Sequence, residues 1–125
     1  MERTVIETTI EQVQRNSLEN EWEEFLKPDR EEKLKTHANS IVLEASFLEI
    51  DTADAWLCKR HGAKTTAWDS YFYYKESYDY GYVEYFFIET AHLNAFKNEV
   101  PNFYALWPDG TRAKTNGWNV FIELE

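Results

Sequence analysis

The chain has little of what usually marks a function. Its 125 residues include one cysteine, Cys58, which rules out an internal disulfide and a stapled secreted scaffold. Four glycines and three prolines leave no flexible linker and predict short connections. No GxGxxG, P-loop or GxSxG pattern occurs, so nucleotide-dependent and serine-hydrolase chemistry lose their main support. His37, His61 and His92 are 24 and 31 residues apart, with no HxxxH and no CxxC, so metal-ligand spacing is missing. No window nears the roughly 18 apolar residues of a membrane span. The opening MERTVIETTI is charged and lacks the apolar run of a leader. The expectation is a cytoplasmic protein with no cofactor, no metal, no catalytic motif and no membrane partner.

What is present is aromatic and acidic. The length predicts a single domain over residues 1–125, able to bury roughly two-thirds of its unfolded surface. Hydrophobic residues make up 43% and aromatics 17%, which predicts a bulky core. Ten of the seventeen residues from Tyr71 to Phe87 are aromatic. The formal charge is −10, and it is uneven. Residues 1–54 hold 14 acids and 6 bases, whereas residues 55–125 hold 9 and 7. The acidity therefore belongs to the N-terminal part.

Periodicity suggests the elements. Thr8 with Glu11, or Thr9 with Gln12, has capping-box spacing for a short helix burying Ile10 and Val13. A break is expected near Asn16, with Ser17 as the next N-cap. Leu18, Trp22, Phe25 and Leu26 then form one amphipathic stripe. Pro28 ends that element or begins another, and Asp29 with Glu32 can cap a further helix. That helix has only Leu34 to bury and is expected to lie exposed. SIVLEASFLEI reads as a strand on its β-branched pair Ile41-Val42. A helix follows, capped by Asp51 or Thr52 and closed by Lys59, Arg60, His61 and Gly62. Two strands of a hairpin surround YDYG, where Gly81 is expected at positive φ. A helix capped by Thr90 buries Leu93 and Phe96 and stops at Pro101. The remainder reads as strands joined at Pro108-Asp109-Gly110 and Asn116-Gly117. The sum is an α+β fold: N-terminal helices packed on an antiparallel sheet of four to five strands, with one or two intervening helices.

Few residues stand out as chemical candidates. Cys58 sits at the wrong end of its helix for an activated thiol and reads as a buried structural one. His61 reads as a helix C-terminal cation, and His37 and His92 as surface residues. Asp69 and Glu84 each interrupt an aromatic strand and can share one face of the hairpin. They suit either an acid–base pair or, more plainly, the sheet's solvated side. An aromatic sheet behind N-terminal helices also resembles, in architecture alone, the nuclear transport factor 2-like folds. That resemblance implies an alternative: a small-ligand-binding or enzymatic domain with an aromatic-lined pocket.

Charge is the stronger clue. Glu19, Glu23, Glu24, Asp29, Glu31 and Glu32 are spaced to populate the outer face of the N-terminal helices. Carboxylates one helical turn apart can imitate a phosphate backbone and occupy a basic groove. The profile fits a non-enzymatic inhibitor that blocks a basic, nucleic-acid-processing protein. Two such groups are immunity (antidote) partners of nuclease toxins and phage inhibitors of CRISPR or restriction nucleases. Tyr78, Asp79 and Tyr80 at the hairpin tip are further candidate contacts, because tyrosine is favoured at interfaces. Direct nucleic-acid binding is disfavoured: a base-stacking platform needs basic neighbours, and the aromatic run offers only Lys75 among Asp69, Glu76, Asp79 and Glu84. The plainer reading of the same acids is a solvated surface that keeps the protein soluble.

Overall fold

The computed structural model describes residues 6–73 and 80–100. The chain starts with β1 (Ile6–Thr8) and α1 (Ile10–Asn16), followed by one continuous helical run. That run is α2 (Glu19–Glu21), a π-helical turn (Trp22–Leu26) and α3 (Lys27–Leu34). Then come β2 (Asn39–Ser46), α4 (Phe47–His61), β3 (Trp68–Tyr73), β4 (Tyr80–Phe87) and α5 (Thr90–Glu99). The strands form one antiparallel sheet in the order β1-β2-β4-β3. The α+β class and its N-terminal helices are as expected, with four strands among the described residues.

Register decides which side chains share a face. Asp69, Tyr71 and Tyr73 stand opposite Phe86, Glu84 and Tyr82, while Trp68, Ser70 and Phe72 stand opposite Phe87, Tyr85 and Val83. Helices cover both faces. On one, α4 and α5 bury Ala53, Leu57 and Phe96 against Ile41, Leu43, Trp68, Val83, Tyr85 and Phe87. Phe96 is the hub there, with ring centroids 4.9 Å from Tyr85 and 5.3 Å from Phe87. On the other face, Val13 and Trp22 pack on Val42, Tyr73 and Tyr82, with Ile10, Leu26 and Tyr71 at the margin. Tyr73, Tyr82, Tyr85, Phe86 and Phe87 are thus buried on the two sides of the sheet while Phe72 is exposed, because each strand alternates between two helical layers.

Several boundaries differ from the periodic reading. The helix after β2 starts at Phe47, before Asp51, because Ser46 and Glu49 form a reciprocal capping box. The Ser46 hydroxyl accepts from the Glu49 N–H (3.1 Å), and the Glu49 carboxylate accepts from the Ser46 N–H (2.8 Å). Thr9 does cap α1, accepting from Gln12. Ser17 is the C-cap of α1 rather than the next N-cap: its N–H donates to the Gln14 carbonyl and its hydroxyl to the Val13 carbonyl, and Leu18 precedes α2. Gly62 ends α4 at φ 87°, as its type suggests. Gly81 is not a positive-φ turn residue but lies within β4, opposite Ala45. Its lack of a side chain admits the Phe72 ring, whose edge a Cβ would meet at 2.5 Å. Thr90 does not cap α5: Glu89 holds the N-cap position, and the Thr90 hydroxyl donates to Asn39.

The larger correction concerns the helical run. Pro28 stands in the first turn of α3, as the second of its two readings has it, but the run does not break there, and Asp29 caps no helix. A proline inside a helix lacks a donor, and its ring crowds the carbonyl four residues back. Here the Lys27 N–H reaches five residues back, to the Trp22 carbonyl, so the turn before Pro28 is one residue wider. The widening changes the phase of everything around it. Trp22 is buried and Leu26 half-buried, but Phe25 is 60% exposed, and Leu18, ahead of the helix, is 71% exposed. The expected four-residue stripe is therefore split. The expected hairpin tip with Tyr78 and Asp79, the stop at Pro101, and the C-terminal strands with their turns at 108–110 and 116–117 lie outside the described residues.

Candidate functional site

The inner side of the helical run reads Trp22, Leu26, Arg30, Lys33, at spacings of four, four and three. Its first half is apolar and joins the core. Its second half is basic and meets the two carboxylates singled out in the aromatic strands. The Arg30 Nε–H donates to Glu84 Oε1 at 2.8 Å, and the Tyr73 hydroxyl donates to the same oxygen at 2.7 Å. Ser40 donates to Oε2 at 2.6 Å. Glu84 is 0% exposed, so these donors replace its hydration. Alongside, Lys33 Nζ donates to Asp69 Oδ2 at 2.9 Å, and the Ser70 N–H donates to Oδ1 at 2.8 Å. The Tyr71 hydroxyl donates to Asp29 at 2.8 Å, adding a third tie between helix and sheet.

The electrostatics keep both tyrosines protonated and Arg30 charged. Burial, then the Glu84 charge and hydrogen bond, push the Tyr73 phenol far up. Burial, then Asp29, push Tyr71 up to about 12. Burial is the largest single influence on Arg30 and opposes its charge, but the hydrogen bond to Glu84 and the charges of Glu84, Tyr73 and Glu11 together outweigh it, and its pKa is raised. Both tyrosines stay donors across the physiological range. Asp69 and Glu84 do share a face, but that face is buried rather than solvated, and each carboxylate is the counter-ion of a helix cation. The helix expected to lie exposed for want of apolar residues is clamped instead through charge and through the aliphatic stems of Arg30 and Lys33.

The clamp leaves the acidic side outward. Glu19, Glu23, Glu24, Asp29, Glu31 and Glu32 are all exposed. Glu23 lies 3.7 Å from Lys27, and Glu32 lies 2.9 Å from Lys35, both as exposed pairs. Residues 19–32 carry seven acids against Lys27 and Arg30, and Arg30 is turned to the sheet. An open hollow of about 430 Å³ adjoins this surface, lined by Glu11, Gln14, Arg15, Ser17, Glu19, Trp22 and Glu23. Tyr80 opens β4, opposite Ser46.

The remaining candidates move as well. Cys58 is exposed, not a core thiol. His37 is buried, and its Nε2–H donates to the Thr66 carbonyl at 2.8 Å. His61 and His92 stack with centroids 4.2 Å apart at the junction of α4 and α5, instead of lying free as a cation and a surface residue. His61 Nε2 and His92 Nδ1 are both buried without a hydrogen-bond partner. Burial, then His92 and Arg60, push the His61 pKa below its ordinary 6.5, and Glu89 only partly opposes this. A histidine that resists protonation when folded stabilises the fold above pH 6.5, and that stability is lost as the pH falls. The urea midpoint should therefore drop between pH 7 and 5, and the drop should be smaller in His61→Gln. Parallel pH profiles for the two proteins would remove the pair from this role.

Among the described residues, no group of three or more His, Cys, Asp or Glu is placed to hold a metal ion. No described helix is long and apolar enough to cross a membrane. Comparison with known proteins finds no matching family model, no matching curated protein and no matching solved structure.

The sequence signals for this site are unequal. Asp69 and Glu84 stand out because a charge inside an aromatic strand is unusual. Arg30 and Lys33 carry no such mark, since a charged residue on an acidic helix looks solvated. Their partners are 54 and 36 residues away, and only the fold brings them together.

Proposed function

We propose that this protein is a small, non-enzymatic, cytoplasmic inhibitor or antidote. It binds a basic surface of a nucleic-acid-processing protein, such as a nuclease toxin or a CRISPR or restriction nuclease, and blocks it. One observation carries the reading: seven carboxylates, from Glu19 to Glu32, lie exposed on one helical run that is clamped to the sheet from behind. The run from Glu19 to Glu32 spans about 20 Å at helical rise. Because the helix is pre-positioned, little order is lost when it docks. The negative field steers it towards lysine- and arginine-lined grooves and away from phosphate. Tyr78, Asp79 and Tyr80 add contact area in this reading.

The test is capture of a partner from host lysate, followed by association kinetics with the captured protein. Glu23→Lys/Glu24→Lys is expected to slow association at low salt at least tenfold and to flatten its salt dependence. Association as fast as wild type, with the same salt slope, would take this helix out of the interface.

A further inference from the structure

The outward turn of Phe25 has no role in the protein's own core. A phenyl ring 60% exposed forgoes burial that an uninterrupted α-helical phase offers alongside Trp22 and Leu26. The π-helical turn at Trp22–Leu26 is what sets it aside, and such turns recur where a helix serves a functional site. The surroundings of the ring are not apolar. Glu21, Asp29 and Glu32 lie four residues before it, four after and seven after in sequence, and all three are exposed, although Asp29 accepts from Tyr71 and Glu32 pairs with Lys35. An exposed apolar side chain on an acidic helical run is the complement of an apolar side chain flanked by lysines or arginines.

We propose that Phe25 is the apolar anchor of the acidic surface. Its occupant is an amphipathic basic segment of a partner protein, one that sets an aliphatic side chain on the phenyl ring and cations against Glu21, Asp29 and Glu32. This rests on the inhibitor reading above and deepens it by naming the chemistry of the partner. Nucleic acid fails both requirements, being anionic and lacking an aliphatic anchor. A second copy of this chain brings the same negative charge and repels the first.

The test uses two synthetic helical peptides of equal charge and length, one alternating Leu and Lys at helical spacing and one replacing each Leu by Ala. Wild-type protein is expected to bind the Leu–Lys peptide at least tenfold more tightly than the Ala–Lys peptide. Phe25→Ala should bring that ratio close to one while both peptides still bind with a clear salt dependence. Phe25→Met should keep most of the ratio, and Phe72→Ala, at another exposed ring, should leave it unchanged. A ratio that survives Phe25→Ala overturns the anchor. Peptide binding indifferent to Glu23→Lys/Glu24→Lys strikes at the acidic-face reading itself, so the two failures are separable. A dimer in sedimentation that Phe25→Ala dissolves would overturn the proposal in favour of self-association.

Discussion

Arg30→Met should destabilise the fold by about 3–5 kcal/mol, because it strands a charge in the core. Glu84 is wholly buried, and Arg30 is its counter-ion at 2.8 Å. Methionine keeps much of the aliphatic volume of arginine, so the loss reports charge rather than packing. The melting temperature should fall by roughly 10 °C or more. Adding Glu84→Gln should recover a substantial part of that loss. The amide has no charge to leave unpaired, and its oxygen can still accept from Tyr73 or Ser40. Urea denaturation of both single variants and the double variant gives the coupling as a double-mutant cycle. If Arg30→Met costs less than about 1 kcal/mol, Arg30 and Glu84 do not form a buried pair.

Trp22→Ala and Phe25→Ala should differ several-fold in cost, although three residues separate them and simple helical periodicity puts both on one face. Trp22 is 6% exposed and is the largest side chain in the smaller core, against Val13, Val42, Tyr73 and Tyr82. Removing a buried indole typically costs about 3–5 kcal/mol. Phe25 lies mostly in solvent, and its truncation should fall within roughly 0.5 kcal/mol of neutral. The pair therefore measures the phase imposed by the π-helical turn. Comparable losses from the two substitutions would mean that Phe25 is packed inward and that the surface proposed around it does not exist. Hydrogen exchange adds a local reading: in Trp22→Ala, amides of the helical run should lose protection ahead of those in β2 and β4.

Local pattern carried most of the architecture. Thr9 with Gln12, Gly62, the β-branched start of β2 and the helical spacing of Leu93 and Phe96 are signals that act within a few residues, and each lies where an element begins, ends or faces inward. The pattern failed where a local rule had a competitor. Phe47 alternates correctly for a strand, but Ser46 and Glu49 satisfy each other's backbone N–H groups, and the helix starts there instead. Pro28 and Asp29 read as a boundary, but one widened turn lets the helix continue. Leu18, Trp22, Phe25 and Leu26 match a stripe only at a constant phase, and the widened turn breaks it.

The sequence by itself determined that this is an acidic α+β protein, that its negative charge gathers in the first 54 residues, and that its strands are aromatic on both sides. Those properties follow from composition and from a two-residue alternation that no tertiary contact can alter. Only the tertiary structure decided what covers the second aromatic face, and which charges on the helix are buried. Arg30 and Lys33 look like their solvated neighbours until β4 and β3 place Glu84 and Asp69 beneath them. A buried ion pair between distant residues has no local sequence signature, because its stability depends on desolvation, which exists only once both layers have closed over it.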